Sequence, residues 1–188
     1  MVTFLVGLVL FLGMHSLSRQ QGLRAALVGR LGAGGFKGVY SLVSLAGFVL
    51  LVMGYGAWRA AGPPQVWSPP SFFGHIALLL MIPAMVFLVA AYAPRGAIKA
   101  RVLHPMLLSV KVWALAHLLA NGDLATMLLA GTFLAWAVYA RIGQPKEPRE
   151  AVPFGTGDWI AMGGGLAAWA ALAFWLHPLL FGVAVMPG

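Results

Sequence analysis

The sequence predicts an all-α, polytopic transmembrane helical bundle of about six spans, with both termini facing outward. Of its 188 residues, 61% are apolar and 9% are charged, whereas soluble domains average about 45–50% apolar and about 25% charged residues. The apolar residues also form long continuous runs. A soluble domain has to cover its outer faces with polar side chains, but a bilayer accepts an apolar outer face.

Six apolar runs stand out, and because a spanning helix requires about 20 residues, the chain is long enough for about six spans with short loops. The approximate bounds of the runs are 2–17, 36–58, 72–93, 103–120, 124–142 and 159–181. None of them alternates in the way that a membrane β-strand requires, so each run is predicted to be a helix. We expect one transmembrane domain over residues 1–188, with Gly7, Gly13 and the triplet 163–165 allowing close helix contacts.

The cations predict the orientation. Ten of the 12 Lys and Arg residues fall in the first, third and fifth loops, and such loops face the cytoplasm. The net charge of +8 is then explained by topology and by anionic lipid headgroups rather than by nucleic acid. We therefore expect a lipid bilayer as the first partner.

Cysteine is absent, which excludes disulfides, iron–sulfur clusters, thiolate-ligated haem and thiol nucleophiles. Five histidines and one lysine fall in or near the spans instead: His15, His75, His104, Lys111, His117 and His177. Ionisable residues at such depth are costly, and they usually face the interior of the bundle. Each of them is therefore a candidate functional residue.

Histidines on different helices at equal depth are the usual axial ligands of b-type haem. Counting residues along straight helices places His75, His117 and His177 in the outer half of the membrane. His75 and His117 form the favoured ligand pair, and His177 could replace either. Arg59, the one cation in the second loop, is a candidate partner for a haem propionate.

Other arrangements stay open. His15 and His104 form a competing inner pair, and His104 cannot share a metal with His117, which lies roughly 20 Å further along the same helix. Zinc or a hydrogen-bonded histidine cluster would use the same residues. Lys111 has no carboxylate in its own span, so it is predicted to be neutral or bound to carbonyls or to a propionate.

The segment 104–123, HPMLLSVKVWALAHLLANGD, resembles the signature of the NnrU family. The segments HSL at 15–17, YSLVSLAG at 40–47 and WSPP at 67–70 are also similar to that family, as is His75 at the start of the third span. The resemblance covers about residues 1–143, and the last span shows none. It implies a bacterial inner-membrane protein linked to denitrification and to the expression or activity of nitrite and nitric oxide reductases.

The family is in turn similar to plant 15-cis-zeta-carotene isomerase, a membrane protein that uses histidine-ligated b-type haem. The isomerase shares the His-Pro and Leu-Ala-His elements at the spacing of His104 and His117. This similarity implies haem b as cofactor, His117 as a ligand, and isomerase-like or redox activity on a small apolar or gaseous ligand such as nitric oxide. Its motif favours His15 as the second ligand, whereas depth favours His75.

Two further hypotheses remain. The His-Pro, Asn-Gly and Arg-Ile elements are similar to membrane methyltransferases of the isoprenylcysteine carboxyl type, which bind S-adenosylmethionine. Those enzymes have paired glutamates, whereas Glu147 and Glu150 are not adjacent here, and Leu103 replaces their usual arginine. The third hypothesis is a non-enzymatic assembly factor for respiratory enzymes, against which the short loops weigh slightly.

Overall fold

A computed structural model describes residues 1–17, 19–142, 144, 148 and 150–185. Over these residues the protein is all-α, as predicted. The helices are α1 (Val2–Leu17), α2 (Gln21–Ala60), α3 (Phe72–Tyr92), α4 (Ala97–Val102), α5 (Pro105–Ala120), α6 (Leu124–Ile142) and α7 (Thr156–Ala171). A π-helical turn, Leu172–Leu176, joins α7 to the short helix α8 (His177–Phe181).

Four of the described helical stretches have the length and apolarity to cross a membrane: α2, α3, α6 and the continuous stretch Thr156–Phe181. The helices α1 and α5 are apolar but shorter. The protein is therefore a multi-pass membrane protein with four to six spans. The orientation of the termini stays a prediction.

The helix α2 begins much earlier than predicted, because the expected loop before residue 36 is helical. Its first part is rich in Leu, Ala and Arg, which are good helix formers. The arginines lower the mean hydropathy of this part, so an apolar run does not reveal it. Gly32 interrupts the helix with φ 72° and ψ 164°. Glycine adopts this conformation without the steric cost that a side chain would bring.

Contacts divide the chain into two compact units, Met1–Pro64 and Gln65–Gly188. In the first unit, α1 packs along α2 at very short range. A Cβ atom at Gly7 would overlap the backbone of Leu51, and one at Gly54 would overlap the backbone of Phe4. Small residues allow two membrane helices to approach in this way.

In the second unit, α3 packs against both α5 and α7, and α5 packs against α6. The Ser109 hydroxyl on α5 donates a hydrogen bond to the Ala84 carbonyl on α3 at 2.8 Å. The Trp169 indole on α7 donates to the Leu78 carbonyl on α3 at 3.1 Å. Hydrogen bonds that bridge helices in this way fix the register of a membrane bundle.

A buried carboxylate fastens the other end of α7. Asp158 accepts hydrogen bonds from the backbone N–H groups of Ala97, Ile98 and Gly155, at 2.9, 2.8 and 2.9 Å. Asp158 thereby caps both its own helix and α4. The last helix begins at Thr156 rather than at the predicted residue 159, because this capping extends it.

Candidate intramembrane histidine site

His117 lies near the end of α5, one turn after Trp113. Its Nδ1–H donates a hydrogen bond to the Trp113 carbonyl oxygen at 2.8 Å, and the two ring centroids are 4.6 Å apart. The carbonyl can only accept, so this bond fixes the tautomer and leaves the lone pair on Nε2. Metal-bound histidines usually have this arrangement, with the second ring nitrogen anchored on an acceptor.

The helix register brings two more histidines to the level of His117. Ser109 on α5 lies opposite Ala84 on α3, and Val66, shortly before α3, donates to the carbonyl of Gly122, just after α5. The two helices α3 and α5 are therefore antiparallel. His117 lies at about the level of Ile76, which is the residue after His75 in α3.

The helix α7 is also antiparallel to α3. A Cβ atom at Gly165 would overlap Val86, and Trp169 bonds to Leu78 nearer the start of α3. Continuing this register carries His177 to the first turn of α3. This register carries His75, His117 and His177 toward the same end of the second unit.

His177 follows the π-helical turn, and its Nδ1–H donates to the carbonyl of Val183 at 2.9 Å. Its ring lies 5.0 Å from that of Phe181. Because π-helical turns often occur at functional sites, His177 is a stronger candidate than its sequence context alone indicated.

His75 lies in the first turn of α3 and is exposed. It makes no hydrogen bond or ion pair with any residue that the structure describes. Its pairing with His117 stays a prediction, supported by their common level and not by a direct contact.

His15, in the first unit, repeats the local arrangement of His117. Its Nδ1–H donates to the carbonyl of Phe11, four residues earlier, at 2.7 Å, and the two rings are 4.3 Å apart. The ring of Tyr40 on α2 is 5.7 Å away. The sequence alone does not pair Tyr40 with His15, because only the packing of α1 against α2 brings the two residues together.

The remaining candidates lie elsewhere. His104 occupies the N-cap position of α5, at the opposite end of that helix from His117, and its Nε2 atom is buried. Lys111 is half-buried and makes no hydrogen bond or ion pair within the described part of the chain. Arg59 lies in the last turn of α2, in the first unit.

Within the described ranges, no three His, Asp or Glu side chains form a group that could hold a metal ion. A haem requires only one or two axial ligands from the protein. Of the two glutamates compared with methyltransferases, Glu147 lies outside the described residues. The Arg95 guanidinium binds Glu150 at 2.8 Å in an exposed ion pair.

The fold and the site define a multi-pass, all-helical membrane protein with histidines anchored at helix ends. The family model described as NnrU protein matches residues 3–185, and the chain belongs to the NnrU family. The match also covers the last helix, for which the sequence alone suggested no relative. No curated protein and no solved structure matches the chain.

Proposed function

We propose that this NnrU-family protein binds b-type haem within the membrane, with His117 as one axial ligand. Membership of the family implies a link to denitrification, whose reductases handle nitrite and nitric oxide. The observation that carries the proposal is the hydrogen bond from His117 Nδ1 to the Trp113 carbonyl. It holds the imidazole in the tautomer whose Nε2 can bind iron.

The surroundings of His117 suit a porphyrin better than a small hydrated ion. The rings of Trp113 and Phe133 are 5.7 Å apart, and they give this part of the second unit an apolar, aromatic surface. Calcium and magnesium prefer oxygen ligands, whereas imidazole is a usual ligand of haem iron. The described spans near His117 contain imidazole side chains and few carboxylates.

His75 is the proposed second ligand, because it lies at the level of His117 and has no competing hydrogen bond among the described residues. His177 shares that level, and its anchored Nδ1 makes it the alternative. Lys111, on α5 like His117, is proposed to neutralise a propionate, since a cationic side chain forms strong charge-assisted bonds with a carboxylate.

Haem, when bound, would supply a redox-active iron. The chain itself orients the imidazoles, excludes water with its apolar helices and limits access to small apolar or gaseous molecules such as nitric oxide. Isomerase-like or redox activity would both use these properties. Location in the bacterial inner membrane, beside respiratory enzymes, belongs to the same proposal.

Absorbance spectroscopy of the detergent-purified protein tests this function. The protein should be expressed with haem precursors supplied, and a dithionite-reduced minus oxidised spectrum should be recorded with a pyridine haemochrome assay. Near-stoichiometric b-type haem supports the proposal. A haem-free protein that binds S-adenosylmethionine would favour the methyltransferase hypothesis instead, and one that binds neither would favour an assembly factor.

A further inference from the structure

The first part of α2, residues 21–31, is here named the amphipathic segment. Arg24 in this segment lies over the ring of Phe36, with 5.8 Å between the guanidinium carbon and the ring centroid. In a straight helix these residues would be about 18 Å apart along the axis, which is beyond the reach of their side chains. The chain therefore bends sharply at Gly32, and the amphipathic segment is not collinear with the span that follows it.

One face of the amphipathic segment carries both its leucines and its arginines. Leu23, Leu27 and Leu31 recur every four residues and form one apolar stripe, and Leu23 and Leu31 are each 47% exposed. Arg24 and Arg30 lie about 60° to either side of Leu27, and both are exposed. Cations that flank an apolar stripe are typical of helices lying in a membrane interface.

No acidic residue can neutralise these cations within the first unit. All four Asp and Glu residues of the sequence lie between residues 123 and 158. A negatively charged surface is therefore the complementary partner for this part of the chain. An exposed apolar stripe between the cations requires that surface to be apolar beneath its charges, as a phospholipid layer is.

We propose that the amphipathic segment lies on the membrane surface and binds anionic phospholipid headgroups through Arg24 and Arg30, with its leucines in the acyl boundary. The bend at Gly32 lets the segment lie along the surface while the rest of α2 crosses the bilayer. Each cation near an anionic surface strengthens association about fivefold. The proposal is independent of haem binding.

The cysteine-free sequence allows single labels to test it. Leu27→Cys and Ala25→Cys place an environment-sensitive fluorophore on the stripe and on the opposite, exposed face. The full-length protein is reconstituted in phosphatidylcholine vesicles with or without phosphatidylglycerol. We expect Leu27→Cys to become shielded from an aqueous quencher when phosphatidylglycerol is present, while Ala25→Cys stays accessible. Equal accessibility of both labels in both lipids would contradict the proposal.

Charge variants separate lipid binding from other causes of shielding. Arg24→Gln with Arg30→Gln should lose most of the phosphatidylglycerol-dependent shielding, and the matching Lys substitutions should restore it. Arg101→Gln with Arg141→Gln removes the same charge from the second unit and should leave it unchanged. If both pairs of Gln variants lose the same amount of shielding, the shielding depends on the net charge of the protein and not on Arg24 and Arg30. Shielding that depends on protein density rather than on lipid charge would indicate a second copy of the chain. Either result would overturn the proposal.

Discussion

His15 and His117 are held in the same way in two different units of the chain. Each donates its Nδ1–H to the carbonyl of an aromatic residue four positions earlier, at 2.7 Å for His15 and 2.8 Å for His117. Each imidazole also lies against that aromatic ring in a tilted arrangement. Imidazoles anchored in this way lose little orientational freedom on binding a metal, which favours them as ligands.

The identity of the second ligand is tested by single substitutions. We expect His75→Ala to abolish haem binding, as it removes the predicted partner of His117, while His15→Ala and His104→Ala retain it. Haem content per protein, measured by pyridine haemochrome, reports the result. Loss of haem in His15→Ala with retention in His75→Ala would contradict this prediction. It would identify His15, whose hydrogen bond resembles that of His117, as the second ligand instead of His75.

Substitution of Asp158 should destabilise the second unit, and it alters no hydrogen bond of a histidine. Its carboxylate accepts three backbone hydrogen bonds and is 1% exposed, so Asp158→Ala leaves three donors unsatisfied. We expect a melting temperature several degrees lower in detergent, with a smaller decrease for Asp158→Asn. Glu150→Gln is the control, because its ion pair with Arg95 is exposed and such pairs contribute little. Equal melting temperatures for Asp158→Ala and the control would contradict this role.

A pair of glycines on α2 tests the packing of the first unit. Gly54→Ala should lower the free energy of unfolding by about 1–3 kcal/mol, because its Cβ would overlap the backbone of the fully buried Phe4. Gly56→Ala introduces the same methyl group where no atom lies within 4 Å. It should be neutral or stabilise the helix by up to about 1 kcal/mol. Denaturant titration of both variants measures the difference, which should vanish if α1 does not pack at this face.

The apolar runs were enough to predict the helices. A continuously apolar run without alternation can satisfy its backbone hydrogen bonds within a bilayer only as a helix. It was not enough to predict which small residues pack. Gly7 makes the predicted close contact, whereas Gly13 has no neighbouring atom within 4 Å. In the triplet 163–165, Gly165 meets the backbone of Val86, while Gly163 is open. Which face of a helix meets a neighbour depends on tertiary packing, which a single apolar sequence does not encode locally.

Residue counting predicts that His75, His117 and His177 lie at a similar depth, and their roles as haem ligands stay predictions. The anchoring acceptors were not predictable, because they are backbone carbonyls of Phe11, Trp113 and Val183. A carbonyl has no sequence signal. The Asp158 clamp was also missed, although Gly155 and Asp158 have the spacing of a helix cap.

Haem binding through His117 is tested by the reduced minus oxidised absorbance spectrum of the purified protein and of its His117→Ala variant, compared at equal protein concentration. We predict a b-type spectrum at near-stoichiometric haem in the parent protein and its loss in the variant, with both proteins retaining their helical circular dichroism. A parent protein without haem, or a variant with an unchanged b-type spectrum, would contradict it.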